Sequence, residues 1–160
     1  MEDFPPLLPL GQEQYPAKDI IGQAIVQSWS VTLSFQTVGD LSVAYTTRTA
    51  SFLKIGNWIF SDFKVEGIMT YTTASGALLI SGIPYANELD PNEPFTNAIS
   101  HNGFILPAIG TYVIAVLTPA VSGMKIQSFR GAGFGSDVDS VTIITGTNVY
   151  LAGQLMYKVG

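Results

Sequence analysis

From its third decade onward the chain alternates between apolar and polar positions. Within Ser30 to Gln36, the residues Val31, Leu33 and Phe35 alternate with Ser30, Thr32, Ser34 and Gln36, and Leu41, Val43 and Tyr45 continue the pattern in the next run. A period of two puts each set on one face of a strand, so one face of these segments is buried and the other wet. After a Lys54-Ile-Gly-Asn57 break a longer strand follows. In it Ile59, Ser61, Phe63 and Val65 face one way, and Asp62, Lys64 and Glu66 the other, with Trp58 and Phe60 opening the strand on the polar side. Two large aromatics on a nominally wet face point to contact with another subunit, or to a surface beneath a covering loop.

Past Gly103 the pattern changes. Tyr112 to Leu117, Val141 to Ile144 and Val149 to Ala152 are apolar on both faces, which a two-layer arrangement cannot easily bury. A symmetric partner would supply the second cover, and a homotrimer with these strands toward its axis is expected. Gly, Pro, Asn and Asp punctuate the apolar segments at intervals of about 8 to 15 residues, and no helix of any length is signalled. The fold expected for 20–160 is therefore all-β, a two-sheet antiparallel sandwich of jelly-roll type.

Residues 1–19 read as an extended arm, because Pro5, Pro6, Pro9 and Pro16 fix their own φ and bias the preceding residues to extended backbone. Phe4, Leu7, Leu8, Leu10 and Tyr15 are a heavy apolar load for a disordered tail. The arm is expected to strap onto a neighbouring subunit or a capsid lattice, or else to tuck along its own sandwich.

Composition sharpens this picture. Of the 160 residues 47% are hydrophobic and only 12% charged, about half the globular average of charge, which favours a docked or oligomeric state unless Thr, Ser, Asn and Gln supply the surface polarity. A net charge of −5, with seven scattered basic residues, argues against nucleic-acid binding. There is no cysteine, hence no disulfide framework and no thiolate chemistry. Met1 to Gly11 carries acidic residues where a secretion signal needs basic ones, and Pro5, Pro6 and Pro9 interrupt its apolar part, so no such signal is expected. The longest strongly apolar run, Val113 to Leu117, is far short of the roughly 20 residues of a spanning helix, and no membrane partner is expected.

Candidates for chemistry are few. His101, beside Asn102-Gly103 at an expected turn, has no second His and no Cys to complete a metal site, and no G-x-S-x-G elbow accompanies it. Arg130 to Gly135 is glycine-rich but lacks the spacing and following helix of a phosphate loop. Tyr85 to Asn102 reads as the long irregular stretch of the domain, where Glu88, Asp90 and Glu93 offer oxygens for calcium without a recognisable loop, and solvated carboxylates are the default. Asp137 and Asp139 would share one side of a strand and could share a cation, although exposed turn carboxylates are the default. Tyr85, Phe95 and Phe134 are loop aromatics able to stack on a sugar, but such residues more often anchor a loop, and none is taken as a site. Paired carboxylates in a glycosidase setting are absent, so neither enzyme activity, nor a cofactor, nor a metal is expected.

Two segments resemble a known module. Phe52 to Phe60, FLKIGNWIF, and Ser75 to Tyr85, SGALLISGIPY, are similar to a β-sandwich of tailed-bacteriophage structural proteins found at receptor-binding tips of tail fibres and in capsid-surface proteins. The usual form there is Gly-x-Tyr-x-Lys-Ile-Gly-Asn, a hydrophobic strand, then Ser-Gly and a short strand ending Gly-Leu-Pro-Phe/Tyr. This chain departs from it with Ala50, Phe52 and Ile83. Asn148 to Val159, NVYLAGQLMYKV, resembles the family's final strand.

The resemblance implies a non-enzymatic virion protein assembled in the host cytoplasm. The leading expectation is a trimeric capsid decoration (cement) protein. In it Phe4, Leu7, Leu8 and Leu10 would grip the major capsid protein or another virion subunit, and Trp58, Phe60, Tyr150 and Met156 would form the oligomer contact. The alternative is the receptor-binding tip of a tail fibre, recognising a host surface glycan or protein. A fibre tip in that family follows a long trimerising shaft, and the short apolar arm here favours the capsid expectation.

Overall fold

The structure, a computed structural model, describes residues 26–85, 95–106, 111–117, 123–130, 136–139 and 141–159. The expected arm, with Phe4, Leu7, Leu8 and Leu10, lies outside them. Ten strands follow in chain order: β1 (Val26–Ser28), β2 (Thr32–Thr37), β3 (Ser42–Ile55), β4 (Trp58–Thr70), β5 (Ser75–Ser81), β6 (Phe95–Asn102), β7 (Thr111–Leu117), β8 (Gly123–Arg130), β9 (Ser136–Asp137) and β10 (Asn148–Lys158). Among the described residues there is no helix. All pairings are antiparallel, in the order β1-β3-β4-β10-β6-β7-β8-β5-β2, with β9 beside β8.

The all-β expectation holds, and the two layers are halves of one folded-over sheet. β6 joins them: Phe95–Ala98 pairs with β7, and Ile99–Asn102 pairs with β10. At the opposite side the two ends of the sheet, β1 and β2, are consecutive in the chain and separated only by Trp29, Ser30 and Val31. This seam is stitched by side chains. The Trp29 indole N–H donates to Ser61 Oγ at 2.9 Å, and the Leu33 amide donates to Tyr45 Oη at 2.8 Å. Ser61, a buried polar residue between Ile59 and Phe63 on the inner face of β4, is thereby satisfied, since its hydroxyl also donates to the Ser51 carbonyl at 2.7 Å.

The core lies between the layers. Val31, Leu33, Phe35, Leu78, Ile80, Met124 and Ile126 on one side meet Phe52, Ile59, Phe63, Val65, Met69, Leu151 and Leu155 on the other. Each large side chain contributes roughly 1.5–3 kcal/mol of burial. Phe35 and Tyr71 meet edge to face, ring centroids 4.9 Å apart. β3 and β4 form the longest hairpin, closing over Gly56–Asn57 inside the predicted break. A bulge between Tyr45 and Thr47 shifts its register, and Gly67 sits opposite: a Cβ there would stand 2.9 Å from the Ala44 carbonyl oxygen. Bulges twist a strand locally and discourage edge pairing.

Four expectations need correction. The stretch Tyr85 to Asn102 is not irregular throughout, because β6 occupies its second half with Ile99 buried. Val141 to Ile144 is no strand: it forms turns with a single bridge, Phe104 to Ile143, leaving Val141 87% exposed. Val149 to Ala152 alternates, with Val149 and Leu151 fully buried and Tyr150 and Ala152 half-buried. In β7 Val113 to Leu117 are indeed covered on both faces, yet within the single chain, since Ile114 and Val116 are already buried. The argument that these strands need a symmetric partner therefore fails.

Candidate functional site

The outer face of β1-β3-β4-β10 is where sequence-predicted contact residues converge. The register stacks it in cross-strand rows: Ile55, Trp58 and Lys158; then Val26, Leu53, Phe60 and Met156; then Ser28, Ser51, Asp62 and Gln154; then Thr49, Lys64 and Ala152; then Thr47, Glu66 and Tyr150. Their neighbours along each strand point into the core, so the alternation that buries Ile59, Phe63 and Leu155 delivers Phe60 and Met156 outward. Trp58 is 39% exposed, Phe60 42%, Met156 44% and Val26 67%. Phe60 and Met156 are direct partners in the ladder. Tyr150 lies on the same face three rows from them, its ring carrying the Lys64 ammonium 5.6 Å from its centroid.

A groove of about 530 Å³ follows the apolar row and its polar neighbour, lined by Val26, Leu53, Phe60 and Met156 and by Ser51, Asp62 and Gln154. Ser51 donates its hydroxyl to the Asp62 carboxylate. Farther along, Asn148 donates to Glu66 at 2.7 Å. Asn97 also borders the groove, with a buried amide nitrogen that has no hydrogen-bond acceptor among the described residues.

The remaining candidates do not converge. His101 is the penultimate residue of β6, pairing with Leu151, and its imidazole stacks on Phe104 with centroids 5.5 Å apart; burial pushes its pKa below the usual histidine value. Asp137 and Asp139 are separated in role. Asp137 accepts from Gln127 at 2.9 Å and meets Lys125 at 3.4 Å, whereas Asp139 accepts from the Val141 and Thr142 amides and the Thr142 hydroxyl, capping its own turn. Those hydrogen bonds hold the Asp139 pKa below the ordinary range although burial opposes them. Both carboxylates thus have partners within the fold. No cluster of His, Cys, Asp and Glu able to hold a metal occurs among the described residues. Tyr85 is exposed but engaged, edge-on to Phe52 and under the Lys54 ammonium at 4.7 Å. Glu88, Asp90, Glu93, Phe134 and the loop after Arg130 lie outside the described residues, as does the side chain of Phe95. No helix among the described residues is long and apolar enough to cross a membrane.

Two sites escaped the sequence reading. Asp40, in the turn before β3, accepts hydrogen bonds from the amides of Thr72, Thr73 and Ala74 and from both threonine hydroxyls, which fixes the β4–β5 loop. These donors hold its pKa well below the carboxylate range. The Gly39-Asp40 pair signals a turn, but nothing in the sequence names a partner 32 positions away. The second is Arg48, at the seam. Its guanidinium lies 5.2 Å from the centroid of the Tyr45 ring and donates to Ser30 Oγ at 2.7 Å.

No family model and no curated protein matches the sequence. Among solved structures, the chain is similar to the crystal structure of the Dettilon tailspike protein, with a TM-score of 0.63 at 17% identity. The match covers 84% of this chain and 24% of the tailspike chain. The chain thus shares the fold of a quarter-length portion of that protein.

Proposed function

We propose that this chain is a non-enzymatic structural module of a phage virion, that it belongs to the tail, and that it works as a homotrimer packed through the outer face of β1-β3-β4-β10. The fold shared with part of a tailspike protein carries the reading and joins the resemblance of Phe52 to Phe60 and Ser75 to Tyr85 to phage virion modules. It favours the tail over the capsid surface. The capsid reading draws its specific support from the apolar arm, whose residues lie outside the described structure, while the likeness in fold is to a tail component.

Assembly draws support from the exposed rows. Strands about 4.8 Å apart and rows about 7 Å apart give this face an area on the order of 600 Å², close to the roughly 800 Å² per partner of a stable interface. Aromatic and methionine residues at its apolar end suit an interface core, and the Asp62, Lys64 and Glu66 rows suit a polar rim. The number three is taken from the trimerising shaft that precedes fibre tips of the family the sequence resembles.

The test is fractionation of purified particles into heads and tails followed by peptide mass spectrometry. Peptides of this chain should partition with tails, at a multiple of three copies. Recovery with heads would restore the capsid decoration reading.

A further inference from the structure

The layer that carries the candidate site is open at both sides, along β1 and along the last residues of β10. We propose that these two edges pair between copies, β1 of one chain adding to β10 of the next, so that three layers close into one ring of strands. The proposal rests on the trimer reading above, to which it adds the backbone contact that joins each copy to its neighbour.

In an antiparallel pair a residue directs both its N–H and its C=O to one neighbouring strand, and successive residues alternate between the two sides. The Trp29 amide bonds the Ala50 carbonyl at 3.1 Å, so Gln27 is directed to β3, and Val26 and Ser28 to the open side. At the other edge the Val159 amide bonds the Asn57 carbonyl at 2.8 Å. Leu155 and Tyr157 are therefore directed to β4, and Gln154, Met156 and Lys158 away from it. β6 would meet these three, but its ladder with β10 stops at Ile99 and Gly153, where β6 passes to β7. Among the described residues nothing bonds the outward backbone groups of Val26, Ser28, Gln154, Met156 or Lys158.

The two edges match each other. Val26 stands in the row of Met156, and Ser28 in the row of Gln154, so the unmet groups of both edges lie at the same height. Three antiparallel steps lead from β1 to β10, which makes their directions opposite. Rotation about an axis along the strands preserves those directions, so β1 of one copy meets β10 of the next antiparallel. The contact is heterologous and closes on itself. Four strands from each of three copies give an even number, which leaves no parallel pairing in the ring. The second layer of each copy covers the inner face, so the face turned to the axis is the one bearing Phe60 and Met156.

Other edges of the sheet are blunted. On β2 the Leu33 amide is taken by Tyr45 Oη, and the unpaired part of β3 carries the bulge between Tyr45 and Thr47 and the charge of Arg48. Such devices keep edges from pairing. Neither β1 nor Gln154 to Tyr157 contains a proline, a charge or a bulge.

Proline substitution tests the pairing, because it removes one N–H and blocks the side that it faced. Ser28→Pro and Gln154→Pro strike groups directed between copies. Each should weaken association by about tenfold or more in a light-scattering dilution series, with the melting temperature of the monomer unchanged. Gln27→Pro strikes a group directed to β3 and should lower that melting temperature. The chain has no cysteine, so mild oxidation of the double variant Ser28→Cys/Gln154→Cys should give a covalent species of three chains, joined between positions 28 and 154, and neither single variant should cross-link. A trimer that both outward prolines leave intact, and whose double cysteine variant stays unlinked, overturns the strand pairing and leaves the face contact standing. Cross-linking of a single variant would show a twofold contact and overturn the ring. Links between 28 and 154 in an assembly of another number would remove the trimer and keep the edge pairing, and a wild type monomeric at every concentration would overturn both.

Discussion

Phe60 and Phe63 lie three residues apart on β4 and face opposite ways, so substituting them separates assembly from folding. Phe63 is 3% exposed, and truncation to Ala leaves a cavity in the core at a cost of about 3–5 kcal/mol. In a chain of this size that lowers the melting temperature by about 6–20 °C. Phe60 is 42% exposed. Taking about 200 Å² for the whole side chain, about 80 Å² remains to be covered by a partner, worth about 2 kcal/mol at about 25 cal/mol/Å². Met156, its ladder partner, is 44% exposed and offers a similar amount. The double variant Phe60→Ser/Met156→Ser should therefore lose about 4 kcal/mol per copy, roughly a thousandfold in affinity for each copy in the assembly. Light scattering over a dilution series should show the wild type as three chains and the double variant as one at micromolar concentration. Its melting temperature, measured where both proteins are monomeric, should stay within a few degrees of wild type. An unchanged oligomer, or a loss of monomer stability matching that of Phe63→Ala, would refute the assignment of this face.

Three further outcomes are expected. Asp40→Ala should lower the melting temperature at neutral pH by freeing the amides of Thr72, Thr73 and Ala74. Because the Asp40 pKa is depressed in the folded state, its contribution is fully present above the unfolded value of about 4 and is lost as pH falls below it, so thermal melts should show the gap between variant and wild type narrowing toward pH 2. Gly82→Ala should cost about 2–4 kcal/mol in a denaturant titration, since φ is +94° and the new Cβ would sit 2.1 Å from the Ser30 carbonyl oxygen; a neutral result would mean that the seam differs from its description. The sole histidine, His101, should titrate below 6.5 by NMR, and the stability it contributes while neutral should be lost as pH falls below that value; a higher pKa would contradict its burial.

Much of the fold was legible because period-two alternation directly encodes which side chains share a face. Val31, Leu33 and Phe35 point inward as read, and Ile59, Ser61, Phe63 and Val65 oppose Trp58 and Phe60 across β4. The Gly56–Asn57 turn was visible for a related reason, being a break between two such patterns. β6 was missed because Asn97, Ser100, His101 and Asn102 weaken the alternation around its one buried aliphatic residue, Ile99, and because acidic and proline residues precede it. Val141 to Ile144 misled in the opposite sense. A short apolar run has no intrinsic period, and Asp139 turns it into a capped loop through bonds that its composition does not announce. The outer face was half legible: Trp58 and Phe60 stood out singly, but the row linking Val26, Leu53, Phe60 and Met156 exists only through pairing between strands far apart in sequence. Arg48 was illegible for the same reason, as its partners Tyr45 and Ser30 meet it only when the sheet closes on itself.

The central claim is that this chain is a structural part of a phage tail. A cryo-electron microscopy reconstruction of the intact particle tests it most directly, by fitting the β1-β3-β4-β10 and β7-β8-β5-β2 layers into each symmetry-averaged part of the virion. The account predicts a match in threefold-symmetric tail density, with Phe60 and Met156 at the contact between copies. A match on the head shell, or in no part of the particle, would contradict it.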